Sequence, residues 1–133
     1  MIQIARWCYK LTGAIDIVNS FYDVSNKKLE GLRQMKEMLS EDMEFIGPLN
    51  RTSGVKQYIA LLEQLLPAHE GYRLHKQFTD GNHICSIYDL LIKSPSGKTV
   101  SITMADWIRV SNGKIAEQKL YYDPRDFMKA FGM

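Results

Sequence analysis

Asp106 lies in a strand-like run, Val100 to Val110, on the alternating face that also carries Val100, Ile102, Met104, Ile108 and Val110. Strand side chains alternate with a period of two, so this parity takes the carboxylate into the core with its apolar neighbours. A buried charge is costly unless it is paired, hydrogen-bonded or neutralised by a raised pKa, and a neutral carboxylic acid is a hydrogen-bond donor that an enzyme can use at neutral pH. A second acid, Asp89, sits in the run His83 to Lys93 on a parity shared with Cys85, Ile87 and Leu91. The opposite parity, Ile84, Tyr88, Leu90 and Ile92, is equally apolar, so the pattern leaves the facing of Asp89 open. Pointing inward from a neighbouring strand, it would form a carboxylate pair with Asp106 and could serve as base to its acid. Pointing outward, it would pair with Arg109 or a lysine. Asp123 precedes Pro124, where a carboxylate more often caps the helix that follows than performs catalysis.

The other chemistry-bearing residues compose no site. His69 follows Pro67 in an expected loop, His75 shares a polar parity with Arg73 and Gln77, and His83 opens a strand beside a turn, so all three are expected at the surface. Cys8 and Cys85 fit no metal spacing and are expected as free thiols. The sequence contains no zinc, phosphate-loop, dinucleotide or nucleophilic serine motif, and neither a metal nor a cofactor is expected.

These residues must be positioned by two kinds of element. Leu11, Ile15, Val18 and Tyr22, with Ala14 and Phe21 alongside, form one helical stripe to about Val24; Leu29, Leu32, Met35, Met38 and Leu39 form a second. A short strand, Met43 to Gly47, is followed by a third helix capped at Thr52 or Ser53, carrying Val55, Tyr58, Ile59, Leu62, Leu65 and Leu66 and closed by Pro67. From Tyr72 the period is two. Strands Tyr72 to Thr79, His83 to Lys93, Lys98 to Ser111 and Lys114 to Tyr122 are separated by turn residues, which predicts an antiparallel meander, and Asp126 to Phe131 reads as a last short helix. Helices first and strands afterwards indicate an α+β domain, three N-terminal helices packed on a curved antiparallel sheet.

The chain has 133 residues, 45% hydrophobic and 24% charged, which suits one domain with a sizeable core. Seventeen basic against fifteen acidic residues give +2, and the basic residues are scattered, which disfavours nucleic acid as a partner. No 18-residue apolar stretch or signal-peptide pattern occurs, so no membrane contact and a cytoplasmic location are expected.

The order of these elements, with Phe45-Ile46-Gly47-Pro48 before Ser53-Gly54-Val55, then Ala105-Asp106-Trp107-Ile108-Arg109-Val110, Asn112-Gly113-Lys114-Ile115 and Tyr121-Tyr122-Asp123-Pro124, resembles the nuclear transport factor 2-like superfamily. Within it the SnoaL-like branch, similar to polyketide cyclases and ketosteroid isomerases, is the nearest match, over residues 11–131 with 1–10 as a lead-in. The resemblance implies a cone-shaped, cystatin-like α+β domain around an internal hydrophobic pocket, and a homodimer. It also implies that Asp106 matches the oxyanion-stabilising acid of the isomerases and that its tyrosine partner falls at Phe21 or, one residue on, Tyr22. The isomerase base is an Asp immediately before the proline that ends the first strand; here that residue is Gly47, which argues against a literal ketosteroid isomerase. The expected site therefore has Asp106, Asp89 and Tyr22 as its chemical groups. Phe21, Phe45, Tyr58, Ile87, Met104, Leu120 and Tyr122 are expected to line a site for a small hydrophobic molecule. Two functions fit: proton transfer of isomerase or cyclase type with Asp106 as acid, or a non-catalytic ligand-binding or dimerisation module. Trp107 and Arg109 have the parity opposite Asp106, and an aromatic on the outer sheet face is expected to meet a partner subunit there.

Overall fold

The structure, a computed structural model, describes residues 13–133, so the lead-in 1–10, Cys8 and the first residue of the expected helical stripe, Leu11, lie outside the described residues. The first described helix, α1, spans Ala14–Ser25 and buries Val18, Phe21, Tyr22 and Ser25, a stripe with the three- and four-residue spacing of one helical face. Asp16 stabilises its start by accepting a hydrogen bond from the Gly13 N–H at 3.1 Å. A single 3-10 turn, Lys28–Gly31, leads into a short α2, Leu32–Glu37.

The chain then becomes extended earlier than the apolar spacing predicts. Strand β1 spans Leu39–Ile46 and buries Leu39, Met43 and Phe45. Leu39 lies four residues after Met35 and so continues the helical spacing, but it pairs with Ile115 of the last strand, with a register shift between Leu39 and Glu44. A three-residue strand, β2 (Arg51–Ser53), precedes α3 (Val55–Leu65), and Pro67 lies in a closing 3-10 turn, Leu66–Ala68. The meander follows as β3 (His69–Asp80), β4 (His83–Lys93), β5 (Thr99–Ser111) and β6 (Lys114–Tyr121). The β5–β6 turn has positive φ at both Asn112 (52°) and Gly113 (74°), the backbone that a two-residue hairpin needs and that Asn-Gly supplies at least strain. The last helix, α4, covers Pro124–Ala130.

The six strands form one curved, unclosed sheet in the order β2-β1-β6-β5-β4-β3. Its pairings are antiparallel except that β1 runs parallel to β6, which returns the N-terminal half of the chain beside the last strand. The core lies between the inner sheet face and α1, α2 and α3, with Val18, Met35, Met43, Ile84, Ile102, Ile108 and Ile115 almost wholly buried. No helix among the described residues is long and apolar enough to cross a membrane.

The junction behind α1 is tight. A Cβ at Gly31 would meet the Val24 carbonyl oxygen at 2.3 Å and Val24 Cγ1 at 3.0 Å. The obstacle is backbone at the C-terminal end of the helix that carries Tyr22 and Ser25, so it cannot rotate aside. Gly31→Ala is expected to destabilise the protein by about 1–3 kcal/mol, read as a lower urea midpoint at unchanged slope; an unchanged midpoint would show that the turn relaxes freely.

Candidate functional site

Asp106 is fully buried, 0% exposed, on the inner face of β5, opposite Ser86 of β4 and Leu120 of β6. Three side chains from three other elements donate to its carboxylate. Tyr22 of α1 donates to Oδ2 at 2.8 Å, Tyr88 of β4 to the same oxygen at 3.2 Å, and Gln118 Nε2 of β6 lies 3.0 Å from both oxygens. Gln118 is itself oriented by Tyr58 of α3, whose hydroxyl donates to Gln118 Oε1 at 2.6 Å. Burial raises the Asp106 pKa to about 6, and the bonds from Gln118, Tyr22 and Tyr88 act in the opposite direction by favouring the carboxylate. The phenols shift in the same direction. Burial, then the neighbouring carboxylate, pushes the Tyr22 pKa up, and Tyr58 and Tyr88 move the same way. Around neutral pH the cluster is thus one titratable carboxyl held by neutral donors.

Protonation changes what this cluster offers. A neutral Asp106 must place its own O–H on an acceptor, and the Tyr22 and Tyr88 oxygens already lie within reach. The phenol that accepts this proton no longer needs to donate to the carboxyl, and its own O–H can turn to another oxygen.

That other oxygen has somewhere to sit. An apolar cavity of about 110 Å³ adjoins the cluster, between α1, α3 and the inner sheet face. Tyr22, Tyr58, Tyr88 and Gln118 form its polar wall, and Phe21, Phe45, Leu62, Met104 and Leu120 lie among its apolar ones. Phe127 and Phe131, on and just after α4, also border it; their rings are 4.8 Å apart, and both are partly buried against the core.

The structure brings together Asp106, Tyr22, Phe21, Phe45, Tyr58, Met104 and Leu120 as a cluster and adjoining cavity. It does not bring in Asp89, Ile87 or Tyr122. Asp89 and Ile87 have the outward parity of β4, where Asp89 accepts hydrogen bonds from Thr103 Oγ1 at 2.7 Å and His75 Nε2 at 2.9 Å, with Arg73 at 3.5 Å. These bonds, Thr103 first, lower its pKa, the reverse of the shift at Asp106. The inward parity of β4 is Ile84, Ser86, Tyr88 and Ile92. Asp89 and Asp106 therefore lie on opposite faces of the sheet and form no pair. Tyr122 comes after the end of β6 and packs against Phe127, ring centroids 6.1 Å apart, outside the cavity lining.

The expectation that all histidines are superficial fails at His69, which opens β3, is 5% exposed and lines the cavity. Its Nε2 lies 2.8 Å from Asn26 Oδ1 at the end of α1. Burial, then Lys28, lowers its pKa, with Glu70 opposing. Tyr72 and Tyr88 are also in the lining although no motif marks them. The inward parity of β4 carries Tyr88, Tyr72 lies in the expected third strand, and the early start of β3 brings in His69.

Position 47 differs from the isomerase pattern in space as well as in residue type. A Cβ on Gly47 would meet the Phe45 ring at 3.1 Å (Cζ) and 3.3 Å (Cε2), so that ring occupies the room a side chain there would use. Asp123 caps α4, accepting from the Arg125 N–H at 3.0 Å and from Arg125 Nη2 at 2.7 Å, and these bonds hold its pKa down to about 2. Among the described residues no group of three or more His, Cys, Asp or Glu is placed to hold a metal ion.

The outer face carries a different surface. The cross-strand rung Phe78, Cys85, Trp107, Lys119 adjoins Lys76, Ile87, Ala105, Tyr121. Phe78 (53% exposed), Trp107 (41%) and Tyr121 (54%) leave aromatic area uncovered. Trp107 Nε1 donates to His83 Nδ1 at 3.1 Å, Lys119 Nζ lies 4.9 Å above its ring, and Arg109 faces Glu117 at 4.0 Å.

A family model described as a SnoaL-like domain matches residues 18–118. A protein of unknown function from Cytophaga hutchinsonii, described as NTF2-like, shares 30% identity over 86% of this chain and 94% of its own, with a TM-score of 0.73. A protein named for the SnoaL-like polyketide cyclases, from Jannaschia sp. CCS1, superposes with a TM-score of 0.77 at 18% identity over 89% of this chain and 90% of its own. TerC, co-crystallised with polyporic acid, superposes with a TM-score of 0.76 at 14% identity over 92% of this chain and all of its own, 100%. No curated protein matches the chain.

The titration of Asp106 has a sign. Its proton is held more tightly in the folded protein (about 6) than at the ordinary value of 3.8, so between these values the folded state binds more protons and stability falls as pH rises. The carboxyl is expected to cost roughly 3 kcal/mol at neutral pH relative to pH 2, where both states are protonated. His69, held neutral, contributes the opposite slope as pH falls through its ordinary range. The difference between wild type and Asp106→Asn in urea unfolding isolates the carboxyl: it should change between pH 4 and 6 and be flat above 7.

Proposed function

Because the chain belongs to the SnoaL-like domain family of the nuclear transport factor 2-like superfamily, we propose that it binds a small hydrophobic carbonyl compound in the cavity under α4 and passes a proton to it, with Asp106 as acid and Tyr22 as the hydrogen-bond partner that relays it. One observation carries this reading: a wholly buried carboxyl with a pKa raised to about 6 shares its protons with phenols that form the cavity wall. In the protonated state Tyr22 or Tyr88 can offer its O–H to a carbonyl oxygen, which is the donor that stabilises developing enol or enolate charge. The chemistry is of isomerase or cyclase type in outline. TerC, similar in fold and co-crystallised with polyporic acid, supports a small-molecule occupant.

A second reading, a ligand-binding module without catalysis, is favoured by one observation of its own. The Phe45 ring fills the room of a base at position 47, and Asp89 faces away, so among the described residues neither of these positions sets a carboxylate acceptor for a substrate proton opposite Asp106. Acetophenone separates the two readings. It should bind about tenfold more tightly at pH 5 than at pH 7.5, with the difference abolished in Asp106→Asn, and its methyl hydrogens should exchange into D₂O faster than in buffer. Binding without accelerated exchange would establish the module and reject proton transfer. A pH-independent affinity would remove Asp106 from the site.

The protein is also proposed to be a cytoplasmic homodimer joined through the outer sheet face. Exposed Trp107, with Phe78 and Tyr121 beside it, is the kind of aromatic surface that subunit contacts bury, and Arg109 lies at its margin. Trp107→Glu is expected to sediment as a monomer where wild type sediments as a dimer, and a dimer that persists in the variant would place the contact elsewhere.

A further inference from the structure

Taking the cavity as the ligand site, we propose that His69 is its second polar pole, a hydrogen-bond acceptor that selects a small ring compound bearing a hydroxyl as well as a carbonyl oxygen. Each phenol that lines the cavity already has a partner. Tyr22 and Tyr88 donate to Asp106, and Tyr58 donates to Gln118. Ser25 Oγ spends its one proton on the Tyr22 carbonyl at 2.6 Å, so in its 2.8 Å contact with Tyr72 the phenol is the donor.

His69 is different. Asn26 Oδ1 is an acceptor, so the ring nitrogen 2.8 Å from it, Nε2, carries the proton of the neutral imidazole. Nδ1 then keeps its lone pair and has no hydrogen-bond partner among the described residues, nor does it belong to their sealed, unpartnered polar atoms. His69 is 5% exposed and lines the cavity, and on this proposal its free Nδ1 is the acceptor offered to the occupant. Burial and the charge of Lys28 keep the ring neutral against the weaker opposing effect of Glu70, which preserves the acceptor at neutral pH.

Its distance from Asp106 defines the ligand. His69 is paired with Ile92 on β4, whereas Asp106 is paired with Ser86, six residues away along the same strand, so the two groups serve different ends of the cavity. A single ring, Tyr72, bridges the interval, with centroids 4.7 Å from His69 and 5.2 Å from Tyr22. The two outer rings are therefore no more than about 10 Å apart. A compact ring system with oxygens at opposite ends spans such an interval. A carbonyl oxygen meets the phenolic donor that Asp106 releases, a hydroxyl donates to His69 Nδ1, and the apolar body lies along Tyr72, Leu66 and Phe127.

4-Hydroxyacetophenone and 4-methylacetophenone, nearly equal in size, test this by calorimetric titration at pH 6. Wild type should prefer the hydroxy compound about five- to tenfold, because a hydroxyl buried without an acceptor binds worse than a methyl group. His69→Phe should reverse the preference. In wild type, ¹⁵N spectra should show the Nε2–H tautomer, with the Nδ1 resonance moved by the hydroxy compound and not by the methyl one; this measurement holds even where the variant fails to fold. Equal affinities for the two compounds in wild type, equal weakening of both in the variant, or an Nδ1–H tautomer would each overturn the assignment while acetophenone binding keeps the cavity reading intact. Failure of acetophenone itself to bind wild type would overturn both.

Discussion

The carboxylate of Asp106 is the interaction on which the arrangement of this domain depends. An ionised carboxyl removed from water requires several donors at once, and here they come from three elements besides its own: Tyr22 from α1, Tyr88 from β4 and Gln118 from β6. Tyr58 adds α3 through Gln118. Hydrogen bonds to a charged group contribute about 1.5–3 kcal/mol each, and loss of a partner leaves a buried group unsatisfied at comparable cost. A slip of α1 by one residue would put Phe21 where Tyr22 donates. The docking of the helix, the facing of β4 and the register of β6 are thus set by polar geometry inside an otherwise apolar core. Gly31 serves the same end, since only a residue without a side chain lets the turn close against the last turn of α1.

The sheet gives two aspartates opposite characters. Asp106, inside, is short of solvent and has neutral donors, so its pKa rises; Asp89, outside, gains a hydroxyl, an imidazole and a guanidinium, so its pKa falls. The residue type is the same and the strands are adjacent. The sign of the shift follows from which face of the sheet each carboxyl occupies. This separation leaves one carboxyl and its phenols beside the cavity instead of a carboxylate pair.

Saturation of the tyrosine hydroxyls has a functional corollary. A cavity whose donors are all engaged behaves as an apolar void until one of them is released, and the uptake of a proton by Asp106 is a way to release one. Ligand polarity and the protonation state of the site are then linked. Phe127 and Phe131, on and just after α4, pack against the core and border the space of about 110 Å³. The outer face has its own polar node, Asp89 with Thr103, His75 and Arg73. Its aromatic strip, Phe78, Trp107 and Tyr121, is flanked by charged residues.

Local pattern determined much of this protein. Alternation along β5 was enough to bury Asp106, the three- and four-residue spacing of Val18, Phe21 and Tyr22 to form one buried helix face, and Asn112-Gly113 to place the last hairpin. Each of these depends on interactions within a few residues or on a single period, which one strand or helix expresses by itself. Tertiary structure decided the rest. Both parities of β4 are apolar, so only the packing of α1 against β4 and β5 settles that Tyr88 faces in and Asp89 out. The spacing of Met35 and Leu39 is compatible with a helix, and pairing with β6 makes Leu39 part of a strand. His69 carries no local mark of burial; it enters the cavity because β3 begins three residues before the expected Tyr72, where Asn26 from the end of α1 can meet it. Facing, register and partnership are relations between segments far apart in the chain, and a sequence period describes only one segment at a time.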